Sequence, residues 1–529
     1  MTPPPSPLTP PQSLRRLLTE ANLMVEDLTG DADVPVTDLT HRAQQTQRGG
    51  LFIAIKGHSA DGHLMISDAV QRGARSIVTE RAIPPYPGVT VVQVKDTRQA
   101  LGRLAQAFHG HPSRGMTIAG VTGTNGKSTV VGLIHTIWES AGLKAGRAGT
   151  LGTAWGEKDF DHGTTTPDAL FLAQSMAAMA AEGVTHLAME VSSHAIDQAR
   201  VAGVPMHAGV FTNISQDHLD YHGDFPTYIG VKRRLFFDYV EPSGGVSVLN
   251  IEDPVGEELA FSLPGRRMTF SHRDNNSAAD LRAENVFMSP GGTRFTLHRR
   301  LPNGKVETAQ VATSLIGEFN VSNMLAAAGA CLGLGMELPR IAKGLSQARC
   351  VAGRFEQVHE GQPFSVIVDY AHTPDALEKV LRTARRITAG RLITVFGCGG
   401  DRDRSKRPLM GRTAARYSDY VILTSDNPRT EDPEEIARQA LAGLQAEAER
   451  PGRYQVVLDR ANAIERAIQL AQPGDCVMIA GKGHETYQQI GTTRHPFDDR
   501  QAARDILQSL ADSWRTAPRS SWRPEEATG

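Results

Sequence analysis

Met116-Thr-Ile-Ala-Gly-Val-Thr-Gly-Thr-Asn-Gly-Lys-Ser-Thr-Val-Val-Gly-Leu-Ile-His-Thr-Ile-Trp138 decides the fold. Its first four residues form an apolar run, and from Val130 onward apolar residues recur at helical spacing. Between them lies Gly120-Val-Thr-Gly-Thr-Asn-Gly-Lys-Ser-Thr129. The reading is strand, glycine loop, helix. Glycines let successive backbone N–H groups turn toward phosphate oxygens, and a helix N-terminus adds a favourable dipole. Lys127 can reach the outer phosphates of a nucleotide and Ser128 can hold Mg²⁺. The spacing is GxxGxxGKS and not the commoner GxxxxGK[ST], because Val121 stands where the latter has its first glycine. The competing reading is a chance glycine-rich turn. The flanking strand and helix weigh against it, so the segment predicts a nucleoside triphosphate site.

Working outward, 529 residues predict two to four domains. Apolar residues make up 40% of the chain and glycines number 51, as in a globular α/β protein. A formal net charge of −2 gives no reason to expect a nucleic-acid partner. Four cysteines (Cys331, Cys350, Cys398 and Cys476) are far apart with no CxxC, which predicts free thiols in a reducing compartment. No apolar run approaches the roughly 20 residues of a membrane span. Met1-Thr-Pro-Pro-Pro-Ser-Pro lacks the basic and apolar regions of a signal peptide. The expectation is a cytoplasmic monomer with no membrane attachment. Residues 1–11 are proline-rich and the tail from Trp514 is polar, and both are expected to be poorly ordered.

Three α/β blocks follow one another. The first, residues 1–112, holds short apolar strands (Leu51–Ile55, Ser76–Val78, Val89–Val94) and an Ala-rich helix near Thr97–Phe108; His109–Gly115 reads as a linker. The second, 113–350, opens with the phosphate loop. Strands are expected at His186–Glu190, Ala208–Asn213 and Val246–Asn250, and a helix at Val321–Leu334. Residues 266–314 read as antiparallel strands with turns at Pro290-Gly-Gly and Pro302-Asn-Gly. The third block, 351–529, alternates strands (Ser365–Asp369, Leu392–Phe396, Tyr420–Thr424, Cys476–Ala480) with helices such as Asp375–Ile387 and Pro433–Glu449. That alternation predicts a parallel, doubly wound sheet, with ligands outside the carboxyl ends of its strands.

Several strand ends carry chemistry. Glu190 ends an apolar strand and reads as a Mg²⁺ ligand, direct or through water, or as a capping carboxylate. Asn213-Ile-Ser-Gln-Asp-His218-Leu-Asp-Tyr-His222 is dense in oxygen and imidazole donors and alone suggests a metal site; Lys232, further on, alone reads as a solvated lysine. Asp369 can accept from ribose hydroxyls, although Thr373 or Asp375 would equally serve as a helix cap. Gly397–Arg407, Ser425–Arg429 and Gly481–Glu485 follow three further strands. Together they bring arginine forks and carboxylates to one rim, where an amino acid would find partners for both its charged groups.

The chain resembles the Mur ligases, the ATP-dependent amide-forming enzymes of peptidoglycan synthesis. Ten motifs carry the resemblance in order over about residues 35–510: GVTGTNGKST (120–129), TTTPDA (164–169), EVSSHAIDQAR (190–200), DHLDYHGD (217–224), GEFNVSN (317–323), GRFE (353–356), DYAHTPD (369–375), GCGGDRD (397–403), SDNPRT (425–430) and GKGHE (481–485). GxxGxxGKS is this family's form of the loop. The closest likeness is to the branch that adds the third residue to UDP-MurNAc-L-Ala-D-Glu. In that branch the DNPR form accompanies meso-2,6-diaminopimelate, whose distal carboxylate lysine lacks.

The resemblance implies a three-domain α/β fold: an N-terminal UDP-binding domain, a central P-loop-type ATPase domain with a mostly parallel sheet, and a C-terminal Rossmann-like domain. It implies ATP as substrate and Mg²⁺ as cofactor. By position, Gly123, Thr124, Asn125, Gly126, Lys127, Ser128 and Thr129 hold phosphates, and Asn320, Arg354 and Asp369 contact the nucleotide. Ser128, Glu190, His218 and Lys232 serve the metal, with Lys127, His218 and Lys232 catalytic and Lys232 carbamylated to N6-carboxylysine. Leu39, His41, His58, Ser59, Ala60, Thr165, Thr166, Ser192, Gln198 and Arg200 match contacts to the UDP-muramoyl dipeptide. Arg402, Asp426, Asn427, Pro428, Arg429, Gly481 and Glu485 match the diaminopimelate pocket. One departure stands out. The family commonly has Asp-Ser-Arg after the first block's opening strand, and here it is Thr40-His41-Arg42. The implied chemistry forms an acyl phosphate, with the C-terminal domain closing to exclude water. The rivals are a lysine-adding relative, a D-Ala-D-Ala-adding or folylpolyglutamate-type sister, and a non-catalytic scaffold. DNPR and the N-terminal UDP block argue against the sisters, and retention of Lys127, Ser128, His218 and Lys232 against the scaffold.

Overall fold

A computed structural model describes residues 10–57, 60–273, 278–289, 291–447 and 453–510. His58, Ser59, the proline-rich first nine residues, Pro290 and the polar tail lie outside these residues. The chain forms two compact units. One runs to Val286 and adds Arg294–Thr313 and Asn320–Ala348; the other takes Phe287–Thr293, Ser314–Phe319 and the chain from Arg349.

The first unit holds two large sheets. The N-terminal one has five strands in the order Val25–Thr29, Thr90–Val94, Ser76–Thr79, Leu51–Ile53, Leu39–Thr40. Only Val25–Thr29 runs antiparallel to its neighbour; the other pairs are parallel. The helix Thr97–Phe108 forms as expected. Asp96 caps it by accepting from the backbone N–H groups of Arg98 and Gln99, and Ala100, Leu104 and Ala107 are buried. The central sheet has eleven strands: Lys158–Phe160, Gly152–Trp155, Ala145–Gly149, His186–Glu190, Thr117–Thr122, Ala208–Phe211, Val246–Asn250, Arg266–Ser271, Leu281–Ser289, Gly292–Arg300 and Val306–Thr313. Its middle is parallel, and Ile118, Leu187 and Val210 are fully buried there, as a sheet covered on both faces requires.

One expectation fails. Arg266–Ser271 does not belong to an antiparallel run. It pairs parallel with Val246–Asn250 and, at Phe270 and Ser271, parallel with Leu281 and Arg282. The helix Pro254–Ser262 carries the chain back across the sheet, so the strand re-enters in the same direction as its predecessor. The turn expected at Pro302-Asn-Gly does form, closed by the Leu301 N–H on the Lys305 carbonyl.

The second unit is built on a six-stranded sheet ordered Glu356–Gln357, Ser365–Asp369, Cys476–Ala480, Leu392–Phe396, Tyr420–Leu423, Tyr454–Val456. All pairs are parallel except the first. Cys476–Ala480, the last of these strands in the chain, inserts between two early ones. Ligands of such parallel sheets sit outside the carboxyl ends of the strands. A hairpin missed in the sequence, Tyr487–Ile490 with Thr493–Pro496, follows at that edge.

Candidate active site

The phosphate loop connects Thr117–Thr122 to the helix Lys127–Ser140. Gly126 precedes the helix with φ 87°, and Gly123 has φ 146°. A Cβ on Gly123 would lie 1.9 Å from Thr212 Oγ1, and one on Gly126 would lie 2.4 Å from Asn323 Oδ1. Both positions therefore need glycine. The loop is braced from the strand beside it. Thr124 N donates to the Asn213 carbonyl at 2.8 Å, Asn125 N to Asn213 Oδ1 at 3.1 Å, and Thr212 Oγ1 to the Asn125 carbonyl at 2.6 Å. Asn320 is buried and accepts from Asn323 Nδ2, so it stands beside the residue packed on Gly126.

Around this loop the charged groups are tightly placed. Lys127 Nζ donates to the carbonyls of Gly123 and Thr124 at 2.9 and 2.8 Å. Lys232 Nζ, from the helix Phe225–Arg234, donates to the same Gly123 carbonyl at 2.8 Å and lies 4.7 Å from the Tyr228 ring centroid. Lys232 is buried, and that burial, with the Lys127 cation close by, holds its amine well below the usual lysine range. The expected solvated lysine is thus a buried, neutral-leaning amine. Ser128 Oγ donates to Glu190 Oε1 at 2.8 Å, and Thr150 N donates to the same oxygen at 2.8 Å. Ser128 and Glu190 thus bring two hard oxygen donors together, the donor type that Mg²⁺ takes, and are the residues here that would hold one. His218 sits in the left-handed region (φ 55°) with its ring 4.9 Å from that of His194. Among the described residues no group of three or more His, Cys, Asp or Glu side chains forms a metal cluster. The self-sufficient metal site suggested by residues 213–222 is therefore not assembled. A Mg²⁺ held by so few protein ligands would need phosphate and water oxygens for the rest.

The same unit holds a cleft of about 1320 Å³. Leu39, His41 and Ala60 line it from the N-terminal sheet and its loops, and Gln198 and Arg200 from the central domain, so the structure gathers these expected contacts in one place. Arg200 donates to Gln198 Oε1 at 2.8 Å, and Gln198 Nε2 to the Tyr221 hydroxyl at 3.1 Å. Burial lowers the imidazole of His41 below its usual range, which keeps it neutral near pH 7. Thr166 is also part of the frame of this site. It is fully buried, donates to the Glu190 carbonyl at 2.9 Å, accepts from Ser192 N at 3.1 Å, and its carbonyl takes Arg200 Nη1 at 2.8 Å. It pins the Glu190 strand end to the loop 164–168. Thr165 lies beside it, half-buried.

In the second unit both Asp369 oxygens are occupied by backbone donors, Phe355 N and Ala371 N, each at 2.7 Å. Burial lifts this carboxyl to about 6 although Arg354 opposes the shift. The Arg354 guanidinium lies 4.7 Å from the Tyr370 ring centroid.

At the carboxyl ends of the Leu392, Tyr420 and Cys476 strands the expected rim is present. Arg429, with φ 51°, donates through Nη1 to the Gly400 carbonyl at 2.7 Å. A Cβ on Gly399 would lie 3.1 Å from that Nη1 and 3.8 Å from Cγ of Arg402, so both side chains pass this glycine. Asp426 packs against Gly481, where a Cβ would fall 2.6 Å from its Oδ2, and Asn427 Nδ2 donates to Glu485 Oε2 at 2.8 Å. Pro428 is buried behind them, its carbonyl 1.9 Å from a Cβ placed on Gly400.

Beneath the rim are residues that sequence reasoning passed over. Arg460 and Asp499 are wholly buried and paired through two bonds of 2.7 Å. Arg460 also donates to the Ala480 and Ser425 carbonyls, tying two strand ends together. We expect Arg460→Ala to cost about 3–5 kcal/mol because it strands a buried carboxylate. The cost reads as an earlier urea midpoint, and pairing Arg460→Met with Asp499→Leu should recover most of it. Arg407, also buried, clamps Glu431 through bonds of 2.8 and 3.0 Å. Lys482 completes the set with no exposed surface. Only its place inside GKGHE signalled it.

Comparison with known proteins follows the same layout. Three family descriptions match: "Mur ligase family, catalytic domain" over residues 35–109, "Mur ligase middle domain" over 121–331 and "Mur ligase, glutamate ligase domain" over 353–483. The chain is 45% identical to the UDP-N-acetylmuramoyl-L-alanyl-D-glutamate--2,6-diaminopimelate ligase of Geobacillus kaustophilus, covering 90% of this chain and 95% of that one. It is 43% identical to the protein of the same name from Gloeobacter violaceus, covering 94% and 98%. A solved structure of a ligase so named matches with TM-score 0.68 at 32% identity, covering 94% and 99%. The fold alone is shared with the folylpolyglutamate synthase of Mycobacterium tuberculosis, at TM-score 0.56 and 18% identity, covering 73% and 91%.

Proposed function

The chain belongs to the Mur ligase family, and from that premise we propose that it is an ATP-dependent amide ligase joining meso-2,6-diaminopimelate to UDP-MurNAc-L-Ala-D-Glu. The observation that supports this best is the rim of the second unit, where the Arg402 and Arg429 side chains both pass Gly399 while Asp426 and Glu485 lie 3.9 and 3.1 Å from Lys482 Nζ. Two arginine forks suit the distal carboxylate of diaminopimelate, and the carboxylates suit an ammonium group. Lysine would leave the arginines unmatched.

The γ-carboxylate of D-Glu attacks the γ-phosphorus of ATP, releasing ADP and forming an acyl phosphate. The amine of diaminopimelate then attacks the acyl carbon, and the tetrahedral intermediate collapses to amide and phosphate. Both partners in the first step are anionic, so Lys127 and the loop amides must offset their repulsion. Mg²⁺, when bound, supplies further positive charge at the phosphates; Ser128, Glu190, His218 and Lys232 are the residues that would hold it. A neutral Lys232 amine is the form that adds CO₂, and its carbamate would turn a cation into an oxygen ligand. Arg200 and Gln198 orient the dipeptide end of the UDP substrate in the cleft lined by Leu39, His41 and Ala60.

The test is phosphate release from ATP with UDP-MurNAc-L-Ala-D-Glu, comparing diaminopimelate, lysine and buffer. Diaminopimelate should drive steady turnover, with lysine at least about a hundredfold poorer in kcat/KM. Equal rates with lysine, or steady release in buffer alone, would overturn the assignment. No described helix is long and apolar enough to cross a membrane.

A further inference from the structure

The geometry points to Lys482 as the positioning residue that sets the charge and orientation of the ammonium-reading end of the amino-acid pocket. This rests on the ligase reading above and adds to it a group the family likeness does not assign. Lys482 has no exposed side-chain surface. Its Nζ donates to Asn427 Oδ1 at 3.0 Å and to Glu485 Oε2 at 3.1 Å, and lies 3.9 Å from Asp426 Oδ1. The Tyr487 ring covers it, with its centroid 5.6 Å away.

Two consequences follow from this arrangement. The first concerns charge. One buried cation faces two carboxylates, Asp426 and Glu485, while the adjacent Arg460 is matched by Asp499. One negative charge is left over, which a single ligand ammonium would neutralise. Without Lys482 two carboxylates would share this site with no cation between them, and their mutual repulsion would disturb the geometry offered to an ammonium.

The second concerns orientation. Asn427 Oδ1 accepts from both Lys482 Nζ and Gln489 N, the latter at 2.8 Å. That fixes the amide so that Nδ2 donates to Glu485 Oε2 at 2.8 Å. Oε2 thereby takes two donors from the protein side, leaving Oε1 as the oxygen to face a ligand. Lys482 so acts through Asn427 and Glu485, both assigned to diaminopimelate, without needing to touch the substrate.

The full-length enzyme tests this through steady-state constants for all three substrates. Lys482→Met should raise KM for diaminopimelate at least about thirtyfold, the size expected for a lost charge-assisted contact. KM for ATP and for the UDP-dipeptide should move less than about twofold, and circular dichroism should show the fold retained although the thermal midpoint falls. Because Lys482 works through Glu485, its loss in a Glu485→Gln background should add no more than about threefold. A Lys482→Met variant with a near-normal diaminopimelate KM overturns the proposal, as do costs that multiply in the double variant. Should Lys482→Met not fold, Lys482→Gln takes its place; failure of both to fold assigns the lysine to stability and also overturns it. Wild-type enzyme without diaminopimelate-dependent phosphate release would instead sink the ligase reading itself.

Discussion

Lys232→Ala is expected to lower product formation by roughly a thousandfold or more while leaving the fold in place. The side chain ends on the Gly123 carbonyl, the same oxygen that Lys127 uses. Two ammonium groups on one acceptor repel, and burial adds its own cost, so Lys232 is driven toward the neutral amine. Acidification would protonate that amine and disfavour its carbamate, so activity should fall on the acid side. Lys232→Arg separates the candidate roles. It retains a cation but cannot form the carbamate, and it should fail as completely as alanine. Coupled turnover together with circular dichroism would check both variants, and near-normal turnover in either would sink the carbamate assignment.

Arg429→Ala is expected to raise KM for diaminopimelate by about a hundredfold, with KM for ATP changing less than about threefold. A charge-assisted fork contributes about 1.5–3 kcal/mol. The same variant should narrow the preference for diaminopimelate over lysine, since lysine never used the contact. Competition between the two amines, read by mass spectrometry of the product, would check this. If both substrates of the variant suffer alike, Arg429 does not read the distal carboxylate.

The parallel sheets were legible because their strands are continuous apolar runs ending in glycine or polar residues, as at His186–Glu190 and Leu392–Phe396. The phosphate loop was legible because its glycines are demanded by backbone geometry and by the close approach of Thr212 and Asn323. The direction of Arg266–Ser271 was not, because a strand's own sequence does not record whether a helix or a turn brought the chain to it. Lys482 and Arg460 were missed for a related reason. Long charged side chains read as surface, and these two are buried only because partners distant in sequence, Asn427 and Asp499, come to meet them. Lys232 was placed by family likeness alone; its burial against Gly123 and Tyr228 gives that placement a physical cause. Thr166, expected to touch substrate, also fastens the Glu190 strand end to the loop that carries it.

The Tyr487–Pro496 hairpin has an engineering meaning. Arg429 N donates to the Gln489 carbonyl and Gly491 N donates back to the Arg429 carbonyl, while Gln488 Nε2 holds the Asp426 carbonyl. The backbone of the loop proposed to select the amine is thus splinted by one short contiguous piece of chain, remote in sequence from the phosphate loop. Loop and splint form a cassette. Exchanging Ser425–Thr430 together with Tyr487–Pro496 for the equivalents of a relative with another amine is the smallest graft that should transfer that choice. A graft of the loop alone would arrive without the hydrogen bonds that hold its shape.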